Sequence, residues 1–485
     1  MINPLNLEYI SCQSEEMCAF HSFHFGKDIT MNNLMRIASL VCTLVGFSGC
    51  VGSNSSTWEH FHGGLSNRGF REIESGFALS SSWISNAYKI TSASPVIGKD
   101  LQNKEVLYIG TSDGMLVALR SGDGSEKWKI SLGSVGSESR IVSSASVSNE
   151  GYIYVITSRK MDEERASSTL HKIDQFGYPK WAYTFPDRGF TSGSPKVATV
   201  GNDTFIFVYV SVDASNNIRG ELFALRDDEY GASLLDREAL GTCRFDNSNH
   251  AASLVAFWEE TWQWVSAFPV ELDEDNIALS DHFLDPTVAV VTGRKKPLIA
   301  IADNLCNFGV FEWNGVELSV LWYQEHDFDK HSSTMVSPSD LMIFGRQDGK
   351  VPAYDLETGV KMWEYDAGQA VFATPAAARE KYLFVVSKDR IQVLNALDGS
   401  LIQDDNSPRR FNLQRVTHSS PAVTANRIYV STSEMLTVNY SLKTRAHDTN
   451  FHGNRLSSVV VGSDGSVYGV AVDGTISKYA GTESE

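Results

Sequence analysis

No long run of lysine and arginine, no Cys-x-x-Cys pair and no apolar stretch of bilayer length occurs in this sequence of 485 residues. Each absence removes a class of function. With 59 acidic against 41 basic residues and a formal net charge of −18, electrostatics argue against a nucleic-acid partner. Acidity of that size favours solubility instead. Without a Cys-x-x-Cys or Cys/His cluster there is no structural-zinc signal. The polar stretches "FDNSNH" (245–250) and "DFDKHSS" (327–333) do not follow calcium-loop spacing. A P-loop, a dinucleotide fingerprint and a Gly-x-Ser-x-Gly elbow are all missing. His60 and His62 stand beside a flexible Gly63-Gly64 without a ligand set at suggestive spacing. No catalytic residue and no metal site is assigned.

The longest apolar run lies near the start. Residues 1–30 are mixed and non-periodic, and are read as an upstream over-extension of the reading frame. From Met31 the pattern becomes "MNNLMRIASLVCTLVGFSGC", with Arg36 as a positive flank and Ile37–Phe47 as an apolar core of signal-peptide length. That core is too short to span a bilayer as a stable helix. Its ending, "FSGC", resembles a bacterial lipoprotein signal, which implies lipid attachment at Cys50. Residues 31–50 are then the signal and 51–79 a tether and lead-in beginning "VGSNSS". Beyond Cys50 only Cys243 and Cys306 remain, compatible with one disulfide in an oxidising compartment or with two free thiols.

What is abundant is repetition. "DGMLVALRSGDGSEKW" (113–128) and "DGKVPAYDLETGVKMW" (348–363) share Asp-Gly, a short apolar strand containing Ala, a second turn ending in Gly, and then G-x-x-x-W. Gly177 and Trp181 repeat the last spacing. Asp-Gly suits a tight hairpin in which both central positions take positive φ. The runs between turns are too short for helices and rich in Val, Ile, Tyr and Phe. Upstream of each unit comes a small residue with proline: Ser94-Pro95, Ser194-Pro195, Asp285-Pro286, Thr374-Pro375 and Ser420-Pro421. "SSA" (143–145), "HSST" (331–334) and "LSSV" (456–459) are degenerate versions. Proline cannot donate to a ladder, so a strand that starts with it is an edge strand. In a propeller that edge faces the central channel.

These signals number eight and predict an all-β, eight-bladed β-propeller of four-stranded antiparallel blades over residues 80–485. The third unit is long, with an insertion at about 226–280. The last unit ends before a fourth strand, whereas "SSSWISNAYKI" (81–91) is a strand without a blade. Pairing the two closes the ring and removes two exposed edges. Trp83, Trp128, Trp181, Trp322 and Trp363 are the expected seam fillers between blades that diverge outward.

The combination of Ser-Pro, Tyr-rich strand, Asp-Gly and Asp-x-x-Thr-Gly-x-x-x-Trp resembles the quinoprotein-type (PQQ-like) β-propeller repeat, "YDLETGVKMW" (354–363) most closely. The segment "TWEHFHGGLSNRGF" (57–70) is similar to the lead-in of such propellers. The resemblance implies either a quinone-dependent dehydrogenase holding PQQ and calcium, or a scaffold of the BamB type in outer-membrane barrel assembly, without cofactor, and a cell-surface or envelope binding module is the further alternative. The dehydrogenases often carry adjacent cysteines, which this chain lacks. The expectation is therefore a non-catalytic, monomeric scaffold lipoprotein, bound to envelope proteins and anchored in the outer membrane facing the periplasm. Within the insertion, Trp258, Trp262 and Trp264 lie among acidic residues and are the candidate partner contacts.

Overall fold

A computed structural model describes residues 7–12, 18–23, 58–76, 80–90, 92–133, 139–162, 165–214, 217–240, 286–303, 307–325, 332–404, 407–413, 417–453 and 456–479. Two compact units divide the chain, residues 1–54 and 55–485. In the first, Leu7–Cys12 pairs antiparallel with Cys18–Phe23. Cys50, Cys243, Cys306, Trp258, Trp262 and Trp264 lie outside the described residues.

The second unit is the expected ring of eight antiparallel meanders. Blade 1 comprises Val96–Lys99, Glu105–Gly110, Met115–Arg120 and Glu126–Ser131, in order from inner to outer strand. Blades 2–7 follow in sequence, with inner strands at Ser146–Val147, Lys196–Val200, Ala289–Val291, Met335–Val336, Ala376–Ala378 and Ala422–Val423. Blade 8 supplies only Val460–Val461, Val467–Val470 and Ile476–Tyr479 from its own end of the chain. Its outer strand is Ser81–Ile84, paired antiparallel with Ile476–Tyr479. The head of the propeller thus completes its tail.

Two local details differ from the expectation. In the turn at Thr111–Met115, only Gly114 takes a positive φ, at 72°, and Asp113 does not. Its carboxylate instead accepts the Thr111 hydroxyl, and Gly114 N–H bonds Thr111 O, so the loop is longer than a two-residue hairpin turn. In blade 3, Asn217–Asp228 and Gly231–Ala239 are regular third and fourth strands, so the insertion starts later than about 226. Residues 241–285 lie outside the described residues.

The tryptophans sit in the seams, and each meets the next blade's turn. A Cβ added to Gly124, Gly177, Gly359 or Gly399 would lie 3.0 Å or less from Trp83, Trp128, Trp322 or Trp363 respectively. The indole N–H groups of Trp83, Trp128 and Trp322 donate to Ser121 O, Gln175 O and Leu356 O of those turns, at 3.0, 2.9 and 2.9 Å. In blade 3 the glycine of that turn, Gly231, faces open space and no indole. Trp181 donates instead to the Asp227 carboxylate, which also accepts Lys172 Nζ and the Tyr154 hydroxyl. The strand opposite bulges beside the indole at Ala118, Lys172, Val310 and Ala353. Ala118 and Ala353 pair directly with Trp128 and Trp363, as Lys172 and Val310 do with Trp181 and Trp322.

Deleting residues 80–90 removes both a strand and a seam tryptophan, and is expected to lower the melting temperature by about 10 °C or more. An unchanged melting curve would show that the ring does not depend on this closure.

Candidate functional site

Eight inner strands converge on the axis, and each turns an unpaired edge toward it. Backbone amides so placed need partners. The residue at the Ser/Thr position of each repeat supplies one. Ser94 N–H donates to Ser144 Oγ, Ser144 N–H to Ser194 Oγ, Ser194 N–H to Thr287 Oγ1, and Thr287 N–H to Ser333 Oγ, at 3.1, 3.0, 3.0 and 2.9 Å. Thr374 N–H donates to Ser420 Oγ, Ser420 N–H to Ser458 Oγ, and Ser458 N–H back to Ser94 Oγ, at 2.9, 3.1 and 2.8 Å. These seven hydroxyls form a belt around the axis, each holding the preceding blade.

Three residues further along the inner strands lies a second belt, made by the lead-in. Residues 58–71 run around the axis as a strap. Its carbonyls at Trp58, Glu59, Leu65, Ser66, Arg68 and Gly69 accept the amides of Ile97, Val147, Val290, Val336, Ala377 and Val423. These belong to blades 1, 2, 4, 5, 6 and 7. Blade 3 contributes a side chain: Lys196 Nζ donates to Phe61 O at 3.0 Å and Gly64 O at 2.6 Å. Arg71 reaches blade 8 through Val461 O at 2.7 Å. The strap thus touches all eight blades in sequence order.

Its tight curvature needs left-handed residues, and His62, Gly63, Asn67 and Gly69 all have positive φ. Gly69 is also fixed by space, because a Cβ there would collide with the His62 ring. Asn67 Nδ2 lies within hydrogen-bond range of Thr287 O, Val288 O and Thr334 O.

The buried ionisable groups are structural. His60 Nδ1 meets Ser146 Oγ at 3.0 Å, and that hydroxyl donates to Pro195 O. The His62 ring lies between Asn67 O and Pro421 O at 2.7 and 2.9 Å. Burial pushes His62 down to about 4, outweighing the two carbonyls that favour its charged form. Burial also holds His60 and Lys196 well below their ordinary values. Among the described residues, no group of three or more His, Cys, Asp or Glu side chains is arranged to hold a cation. The donors facing the axis at the strap are carbonyls, an ammonium, imidazoles and an amide, a poor match for the calcium ion of a quinone site.

The meander also sorts the turns. Those between first and second strands and between third and fourth strands lie at one rim. Those between second and third strands, with the blade-to-blade connections, lie at the other. The strap belongs to the first rim: Ala425 N–H donates to Ile73 O, and Glu72 pairs with Arg379, both at first-to-second-strand turns. Beyond its similarity to a lead-in, this strap carries no signal in the sequence, because its partners are scattered over the whole chain.

Residues 81–181 and 319–446 match the family model described as outer membrane protein assembly factor BamB. No curated protein matches the sequence significantly. A europium-containing methanol dehydrogenase shares the fold at 10% identity and a TM-score of 0.59, over 85% of this chain and 89% of that one. The quinohemoprotein alcohol dehydrogenase from Comamonas testosteroni does so at 9% and 0.57, over 89% and 82%. BamB from Moraxella catarrhalis aligns at 16% identity and a TM-score of 0.47, over 85% and 97%.

Lowered histidines make stability fall on acidification. Below about 6.5 the unfolded chain takes up protons that folded His62, and His171, also pushed down to about 4 by burial, refuse. Each contributes a loss of up to about 1.4 kcal/mol per pH unit between those limits, and none below. Urea unfolding between pH 7 and 4 measures this slope, and His171→Gln or His62→Gln should reduce it. A slope unchanged by both substitutions would show that neither ring is held neutral.

Proposed function

We propose that this chain, a propeller of BamB-type repeats, is a non-catalytic protein-binding scaffold of the bacterial cell envelope that serves outer-membrane β-barrel assembly. A lipid on Cys50 would hold it at the outer membrane, facing the periplasm. The match of residues 81–181 and 319–446 to the BamB family model carries this reading. The strap accords with it, since residues 58–71 are hydrogen-bonded to the inner strands around the axis at one rim and serve to hold the blades. Mechanistically, such a ring works by presentation. The two hydrogen-bonded belts and the indole seams fix the blades, so that loops at the rims meet a partner without a large ordering cost. The proposed partner contacts include Trp258, Trp262 and Trp264.

The dehydrogenase reading has the fold neighbours in its favour, but they show the fold alone. Under that reading PQQ and calcium would be required, and the described axial residues do not provide a matching ligand set.

Photo-crosslinking in cells from rim positions is expected to give a barrel-assembly protein as the dominant adduct. Replacing Trp258, Trp262 and Trp264 together by serine should abolish that adduct while leaving melting unchanged. The reading fails if no envelope protein is captured and the purified chain, given PQQ and calcium, oxidises alcohols or sugars with a dye acceptor.

A further inference from the structure

A strand at the margin of a sheet offers unpaired N–H and C=O groups to any other strand, and natural proteins blunt such margins with charge, proline or shortness. The outer strands of this ring do so, with one exception. Blade 1 has Glu126 and Lys127 just before its seam tryptophan, blade 2 Pro179 and Lys180, and blade 5 Lys361. Blade 3 carries Asp236, Arg237 and Glu238, and the outer strands of blades 6, 7 and 8 are only three or four residues long. Blade 4 ends in Leu318–Glu325, eight residues of which the first seven hold neither charge nor proline. Val320 and Leu321, at the two positions before Trp322, are exposed.

The direction of this strand's backbone follows from its neighbours. It is the last strand of its sheet, paired only with Asn307–Trp313. Trp313 N–H turns away from it to Pro297 O, and Leu318 N–H turns outward to the Asp236 carboxylate at 2.7 Å. Alternation along the strand then turns Val320 N–H outward as well. Blade 2 agrees, since Pro179, which has no N–H, holds the same place two residues before Trp181. Beyond Leu318, no described residue bonds the outward backbone of the blade 4 strand.

From this margin we infer that blade 4 takes up an extended strand of a partner protein as its fifth strand. This deepens the scaffold reading above and rests on the chain being a binder of protein. A row of bare amides and carbonyls selects an extended backbone over a folded surface, because only a strand can satisfy them in register. Apolar residues at alternate positions of the incoming strand cover Val320 and Leu321. Glu317 and Glu325 stand exposed at the two ends of the margin, with no ion pair among the described residues. The incoming strand therefore carries lysine or arginine at its ends. A second copy of this chain would bring the same acidic ends and another net charge of −18, so the occupant is a different protein.

The test uses the full chain and a synthetic peptide of about eight residues, alternating valine and threonine with lysine at both ends. Residue-resolved amide hydrogen exchange reads the site. In the free chain the Val320 amide should exchange about tenfold or more faster than the Val310 amide of the adjoining strand, and peptide should slow it by about tenfold or more. Val320→Pro with Leu321→Lys copies the residues of blade 2. This double variant should weaken peptide binding by about tenfold or more and leave the melting curve unchanged. Protection of Val320 in the free chain, by another part of the chain or by a second copy, overturns the fifth strand. So does peptide that protects every outer strand equally. Crosslinking in cells separates this site from the scaffold reading. A double variant that still gives the barrel-assembly adduct keeps the scaffold and removes the site. A native chain whose Val320 is protected by peptide, but which captures no envelope protein, keeps the site and removes the scaffold role.

Discussion

A propeller axis is where edge strands meet, and the amides that face it decide whether the ring can exist. Unpaired backbone groups in a narrow channel carry the full desolvation penalty. This chain meets the constraint at two levels. The hydroxyl belt from Ser94 through Ser458 uses seven side chains, each on a different blade, to hold a neighbour's backbone. Three residues further along the inner strands, the strap offers its own carbonyls to the next inward amides. Proline beside the belt hydroxyl, as at Pro95, Pro195, Pro375 and Pro421, removes one amide that would otherwise need a partner. The Ser-Pro repeat is thus a hydrogen-bonding device at the axis, and its recurrence follows from there being eight edges to satisfy.

At the perimeter the problem is reversed, since blades diverge and leave space. Indole rings fill it, and those of Trp83, Trp128, Trp322 and Trp363 fit because the facing turn has a glycine with no Cβ in the way. The closing seam uses the same contact as the internal ones. Trp83 lies on Gly124 and donates to Ser121 O, as Trp128 does with Gly177 and Gln175 O. Closure therefore needs no specialised interface, only a strand taken from the other end of the unit. Where no glycine faces the indole, as in blade 3, the buried Asp227 carboxylate takes the Trp181 N–H and is balanced by Lys172.

Legibility followed the range of the interaction. Blade number, the Trp83 closure and the seam tryptophans could be read from sequence because turn chemistry and a fixed Gly-to-Trp spacing are local and recur. Asp-Gly turns were legible as turns but not in their type, since an Asp side chain accepting the Thr111 hydroxyl replaces a second left-handed residue. The strap was almost invisible. Its residues follow no period, and each one's partner lies in a different blade, as with Trp58 to Ile97 and Gly69 to Val423. His60 and His62, read in sequence as part of a flexible loop without a ligand set, are enclosed by Ser146, Asn67 and Pro421.

The strap is what this ring adds to its repeats. Repeats, belts and seams are compatible with both a dehydrogenase and a scaffold. At one rim residues 58–71 wind around the axis, with Lys196 donating to Phe61 O and Gly64 O and the His60 and His62 rings buried beside it. The polar groups of this segment are thereby committed to holding the inner strands of all eight blades. A ring fixed in this way at its axis and its seams leaves its turns and connections as the parts that can vary without disturbing the blades.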